Sequence, residues 1–126
     1  MDPQQELYTK ILIELKNKGY SVFDGIAPDN AKYPFVCMGE NQQQDTFDKS
    51  AVRGNLFQTI HVWHNNTRER GTFSNMMLEI KRICLKLENT KNFELMCVSL
   101  NQQVMIDTST QSKLLHGVID VEYKFS

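Results

Sequence analysis

The chain has 126 residues, of which 40% are hydrophobic and 23% are charged, and this composition is typical of one soluble globular domain. Lys and Arg number 14 and Asp and Glu number 15, so the formal net charge is −1. This balance argues against a protein that grips duplex nucleic acid by charge, because such proteins carry a basic surplus or stripe.

The N-terminal sequence predicts a helix over residues 3–18. Asp2 is a suitable N-cap, Pro3 suits the first helical position, and Gln5 is placed to reach back in a capping box. Gly19 suits the C-terminal cap. The helix would bury one apolar face, formed by Leu7, Tyr8, Ile11, Leu12 and Leu15.

Two short strands are predicted next, at Tyr20–Phe23 and at Pro34–Glu40. Asp24-Gly25 is a turn signal that closes the first strand. Pro34 is acceptable as the first residue of the second, because a proline has no N–H to donate to a ladder.

A long polar stretch, Gly39–Asn55, follows and is predicted to be a loop. Compact domains rarely contain a structureless connection of this length unless it is functional or disordered. Such a segment could pair its backbone with a neighbouring sheet edge or become ordered on docking. The assembly-loop candidates are Gln42, Gln43, Gln44, Asp45, Phe47, Asp48, Lys49 and Arg53.

Beyond this loop, Leu56–His64 is rich in β-branched and aromatic residues and predicts a strand. A second amphipathic helix follows the polar break at Asn65–Gly71. Phe93–Leu100 predicts another strand, which could extend as far as Ile106. The stripe of the second helix recurs at spacings of three and four, through Phe73, Met76, Met77, Ile80, Ile83, Cys84 and Leu87.

The last segment has a clear period of two, with apolar residues at Ile119, Val121, Tyr123 and Phe125. Such alternation suits an antiparallel sheet with one solvated face. The predicted fold class is therefore α+β in a single domain, residues 1–126. A mainly antiparallel sheet of about four to five strands would carry both amphipathic helices on one face. The polar segment Asp107–Lys113 is a second possible assembly loop.

The sequence contains no pattern that predicts a metal, a cofactor or a catalytic centre. Cys37, Cys84 and Cys97 lie far apart in apolar contexts, which predicts buried, reduced thiols in a cytosolic protein. His61 and His64 would point to opposite faces of a strand, and no zinc-ligand spacing is present. Neither a signal peptide nor a membrane-length apolar run is predicted.

As a whole, the sequence resembles the small tail-completion proteins of long-tailed bacteriophages, the tail terminator or tail-to-head joining group. The resemblance lies in the N-terminal helix, in Tyr33–Glu40 (YPFVCMGE) with the polar loop after it, and in Thr59–Asn65 (TIHVWHN) with the helix after it. The closing segment Leu114–Phe125 (LLHGVIDVEYKF) matches as well. It is a pattern of elements and short segments that covers essentially the whole chain.

The resemblance implies a structural virion protein at the head-proximal end of the tail, assembled in the host cytoplasm. Such proteins form a six-membered ring that caps the tail tube, ends its polymerisation and presents the docking surface for the head connector or stopper protein. DNA would pass through the lumen without specific binding. In this interpretation Asp45, Phe47, Asp48, Lys49 and Arg53 would act at subunit or tube contacts, a role assigned from the character of the loop.

Two alternatives remain open from the sequence. Another head–tail connector component, such as a stopper or an adaptor, shares the size and class of this chain. A small cytosolic thiol enzyme or ligand-binding domain would use Cys37 or Cys97 near His116 as nucleophile and base.

Overall fold

A computed structural model of the chain describes residues 1–47 and 52–126. Within these residues, five strands form one sheet in the order β1-β2-β3-β5-β4, in which β1 and β2 are parallel and the other pairs are antiparallel. The predicted α+β class, with a mainly antiparallel sheet, is confirmed. In chain order the elements are α1 (Pro3–Asn17), β1 (Val22–Asp24), β2 (Phe35–Thr46), β3 (Arg53–His64), α2 (Arg70–Lys86), β4 (Leu95–Asp107) and β5 (Leu114–Phe125).

Helix α1 begins and ends where its capping residues predict. The Asp2 carboxylate accepts a hydrogen bond from the Gln5 backbone N–H at 3.2 Å, and Gly19 has a φ of +95° just beyond the helix. The predicted capping box is wrong in one respect. The Gln5 side chain donates to the Thr9 hydroxyl, one turn onward, and does not return to the cap.

Both helices lie on one face of the sheet, as predicted, and the core forms between them and the strands. The period of two in β5 points Ile119, Val121 and Tyr123 toward this helix layer, where all three are buried. The Tyr123 hydroxyl donates to the Cys84 carbonyl oxygen of α2 at 2.7 Å. The helices contribute the buried side chains Leu7, Ile11, Leu15, Phe73, Met76, Met77, Ile80 and Cys84.

Glu6 fastens α1 to the connection between α2 and β4. Its carboxylate accepts hydrogen bonds from the Thr90 hydroxyl at 2.9 Å and from the Asn92 backbone and side-chain nitrogens at 2.9 and 2.8 Å. The Asn92 side-chain bond is the largest of the influences that lower the pKa of Glu6. These bonds join the N-terminal part of α1 to the segment that leads into β4.

The prediction that Gly39–Asn55 is a loop is wrong. Strand β2 continues to Thr46 and β3 begins at Arg53, so the connection spans only residues 47–52. The reason is that both faces of this part of β2 lie in solvent, where burial imposes no apolar alternation on the sequence. Residues 41–46 are exposed except for Gln43, which is half-buried. Cross-strand pairing with β3 therefore forms a strand that the side-chain pattern does not reveal.

Candidate assembly interface

A bulge in β2 interrupts the pairing of β2 with β3 midway along their hairpin. The register between the two strands shifts between Met38 and Asn41, and such a shift bends a strand and increases its twist. Gln58, only 1% exposed, lies under the bulge. Its side-chain nitrogen donates to the carbonyl oxygens of Thr59 at 2.9 Å and Gly39 at 3.3 Å, so the amide satisfies backbone groups beside the irregularity.

Beyond the bulge, close approach of the strands requires glycine at position 54. A Cβ atom placed on Gly54 would lie 2.2 Å from the Gln44 carbonyl oxygen and 3.0 Å from the Asp45 Cα atom. Both contacts are with backbone, which cannot swing aside as the end of a long side chain can. Gly54 thus permits the pairing that extends the hairpin to its tip.

The outer edge of β2 is open along its distal half, beyond the bulge. Within residues 1–47 and 52–126, β1 pairs with β2 only at Val36–Met38. Toward the tip, Asn41–Thr46 pair with β3 on one side. In an antiparallel ladder alternate residues direct both N–H and C=O away from the partner. The Val36 N–H and the Met38 C=O point outward, and the pairing with β3 carries this alternation to Asn41, Gln43 and Asp45.

The four polar candidates on β2 divide between the two faces of the hairpin. Gln43 and Asp45 pair with Leu56 and Gly54 and share the face of the helices. The Gln43 side chain donates to the Asp45 carboxylate at 2.7 Å. Gln42 and Gln44 point to the opposite face. The structure thus places these candidates together on one hairpin arm, but on a strand and not on a loop.

At the tip, two apolar side chains flank the connection. Phe47 is 97% exposed and Val52 is 68% exposed. Arg53 is the first residue of β3 and pairs with Thr46. Asp48 and Lys49 lie outside the described residues. An apolar pair at the end of a polar arm can contribute hydrophobic contact area once a partner covers it.

Strand β4 forms a second open edge, which the sequence analysis did not identify. One side of β4 pairs with β5 along its whole length. On the other side, the Leu95 N–H donates to the Glu88 carbonyl oxygen at 2.8 Å. A register shift lies between Cys97 and Ser99. In the described chain, no other strand pairs with this side of β4. No pattern in Leu95–Asp107 marks it as an edge strand, because it lacks the Lys, Arg and Pro residues that edge strands usually carry.

On the sheet face opposite the helices, three rings stack together. The indole of Trp63 lies on the imidazole of His116, with ring centroids 3.8 Å apart and planes 7° apart. The Nδ1 atom of His61 lies 2.8 Å from the Nε2 atom of His116. Burial lowers the pKa of His116, and the neighbouring His61 lowers it further. His64 points to the other face, where its Nε2 atom lies 3.0 Å from a Glu69 carboxylate oxygen, as the strand alternation predicts.

The thiols are in environments that disfavour the reactive thiolate. Burial raises the pKa of Cys84 to about 12, and burial also raises the pKa of Cys37 and of Cys97. Cys97 shares the helix-side face with its pairing partner Tyr123, whereas His116 lies on the opposite face. Cys97 therefore cannot exchange a proton with His116 directly. Cys37 pairs with His61 and so lies on the same face as His116, but it is buried. Among the described residues, no group of three or more potential metal ligands occurs.

Alkylation with iodoacetamide at pH 8 is expected to be slow for the native protein. Cys97 is half-buried and should react first, whereas Cys37 and Cys84 are buried and should react only after unfolding, because the thiolate is the nucleophile. Intact-mass spectrometry with and without denaturant measures the order. Rapid modification of one cysteine at neutral pH would instead favour the thiol-enzyme alternative.

Comparison with known proteins supplies a structural relative. No protein-family model matches the chain, and no curated protein matches it. Among solved structures, it is similar to a chain in the virion of a native gene transfer agent particle, with a TM-score of 0.62 and 12% sequence identity. The alignment covers 97% of this chain and 94% of the other. The two chains share a fold.

In the described part of the sequence, neither helix has the length and hydropathy of a membrane span.

Proposed function

We propose that this chain is a structural virion protein that caps the tail tube of a phage-like particle as a ring, most simply a hexamer. The ring ends polymerisation of the tube and offers its free side to the head connector or stopper protein. The observation that carries the proposal is the shared fold with a chain of a gene transfer agent virion, which extends over 97% of the sequence.

The hairpin supplies the contact that such a role needs. Its outer strand is solvated from Asn41 to Thr46 except at the half-buried Gln43, and it ends in the exposed side chains of Phe47 and Val52. The arm carries Gln42, Gln44 and Asp45 in solvent. A polar arm with an apolar tip can remain soluble on a free subunit and still bury apolar area on a tube end or a sister copy.

The net charge of −1 is compatible with DNA that crosses a lumen without being bound. A basic channel would hold the phosphate backbone and oppose its movement. In this proposal the partners are therefore sister copies, the tail tube protein and the connector, and DNA is a passing cargo.

Removal of the hairpin tip tests the proposal. Replacing residues 47–52 with Asn-Gly joins the paired residues Thr46 and Arg53 by a two-residue turn that suits an antiparallel hairpin. We expect a folded subunit with an unchanged circular dichroism spectrum, and we expect capping of tail tubes to fall to background. Negative-stain microscopy of tubes mixed with the protein measures the capped fraction and the distribution of tube lengths.

A matched control is available at the other polar connection. Residues 108–113 join the paired residues Asp107 and Leu114 and are equal in length to 47–52. In this proposal the second possible assembly loop, Asp107–Lys113, takes no part in capping, so replacement of residues 108–113 by Asn-Gly should leave capping intact. Normal capping by the 47–52 variant would show that the tip is dispensable. Gold-labelled protein found at the connector and absent from the tube end would instead assign the chain to a stopper or adaptor.

A further inference from the structure

We infer that the open edge of β4 binds the open distal edge of β2 in a second copy of this chain, so that neighbouring sheets join into one. This inference rests on the proposed ring and names the contact that closes it. The occupant of the β4 edge is thus a sister subunit, held by main-chain hydrogen bonds.

Alternate residues of β4 direct their backbone N–H and C=O groups away from β5, toward the open side. Glu94 and Ser126 exchange both of their backbone hydrogen bonds, and the pairs along β5 then alternate between bonded and non-bonded. Ile119 lies an odd number of residues before Ser126, so its pair with Gln102 is a non-bonded pair. The N–H and C=O of Gln102 therefore point away from β5, toward the open side. The same count, made along β5 past the register shift, places Leu100 and Val104 outward.

The β2 edge provides the complementary groups. Asn41, Gln43 and Asp45 direct their N–H and C=O groups outward, as derived above from the ladder with β3. Asn41-Gln42-Gln43 on this edge and Asn101-Gln102-Gln103 on β4 are both rich in amide side chains. Neither segment contains a lysine, an arginine or a proline that would block strand addition. Asn and Gln amides, moreover, bond to one another across paired strands, although the Asn41 Oδ1 atom already accepts a hydrogen bond from the Gln4 side chain of α1 at 2.6 Å.

The topology favours pairing of β2 with β4 over pairing of two identical edges. Because the two strands lie at opposite sides of one sheet, their association is heterologous and can close into a ring. Closure satisfies every such edge, as in a barrel, whereas a two-fold contact between two β4 strands would leave both β2 edges open. Since β2 and β4 run in opposite directions within the sheet, the new contact is antiparallel when neighbouring copies keep the same orientation.

Cross-linking between engineered cysteines tests the contact. Gln43 and Gln102 pair with Leu56 and Ile119, so both side chains lie on the helix side of the sheet. Gln43→Cys and Gln102→Cys are placed in one chain that also carries Cys97→Ser, which removes the half-buried native thiol. A short bismaleimide is then added to the concentrated protein, with and without tail tubes, so that the result tolerates an offset in register.

The double variant is expected to give a ladder of covalent oligomers that ends at the ring, and each single variant should give no covalent oligomers. Dimers from Gln102→Cys alone would show that two β4 edges pair with each other and would overturn the inference. So would the absence of a ladder from the double variant. If rings are still seen on tubes in that case, the proposed function stands and only this contact fails. A ladder without tube capping would retain the contact and contradict the tail role.

A pair of substitutions at one position checks the same contact without a cross-linker. Gln102→Pro removes the outward N–H while leaving the ladder with β5 in place, because proline is tolerated on the free side of an edge strand. Gln102→Thr loses the amide side chain but keeps the N–H. We expect the proline variant to lose ring formation and the threonine variant to retain it, with similar melting temperatures. Ring formation by the proline variant would contradict the inference.

Discussion

Gly54→Ala is expected to lower the free energy of unfolding by about 3 kcal/mol and to abolish capping of tail tubes. The added methyl group would meet the Gln44 carbonyl oxygen at 2.2 Å, so β2 and β3 must separate. Gly54 also pairs with Phe125 of β5, which is 2% exposed, so the disturbance reaches the core. Urea denaturation followed by Trp63 fluorescence measures the stability, and negative-stain microscopy measures capping.

The matched control is Gly71→Ala. Gly71 lies in the first turn of α2, where a Cβ atom would meet nothing within 4 Å. Alanine is the better helix former, so stability should stay constant or rise by up to about 1 kcal/mol. If Gly54→Ala proved as stable as this control, the close approach of β2 and β3 at this position would be wrong.

Phe73→Ala should have the largest effect on stability, a loss of about 3–5 kcal/mol in the free energy of unfolding. Phe73 is 1% exposed and belongs to the core between α2 and the sheet. Its ring lies where a Cβ atom on Gly117 would be 3.1 Å away. The absence of a side chain at Gly117 lets this part of α2 pack against β5. Truncation would leave a cavity that the sheet cannot fill by moving.

Leu78→Ala, on the same helix, is the comparison for Phe73→Ala. Leu78 is 40% exposed, so its truncation should cost less than about 1 kcal/mol. Urea midpoints of both variants, analysed with a common slope, separate the two cases. Equal losses for the two variants would mean that α2 does not present Phe73 to the sheet.

Burial explains which elements the sequence could predict. The face of α1 marked by Leu7, Ile11 and Leu15 and the stripe of α2 are visible because each helix must cover one side of the sheet. The alternation in β5 is visible for the same reason. Strand β5 lies between β3 and β4, and its helix side is buried from Leu115 to Phe125.

The candidate interface could be predicted only in part, because an assembly surface has no burial pattern in a single subunit. The part of β2 that ends at Thr46 was predicted to be a loop. Both of its faces are solvated, so its glycine and glutamine residues show no apolar alternation. The bulge at Met38 depends on Gln58, which sequence reasoning treated as an ordinary strand residue. Strand β4 was predicted as far as Ile106, but nothing in its sequence could show that it lies at the edge of the sheet.

The bulge braced by Gln58 separates two kinds of evolutionary freedom. On the Phe35–Met38 side of it, the β2 side chains are buried, so a substitution there changes the free energy of folding and selection restricts what is acceptable. On the distal side, Gln42, Gln44 and Thr46 are solvated, so they can be exchanged at little energetic penalty to the subunit. A lineage could therefore adapt its arm to a different tube or neighbour while the body stays unchanged.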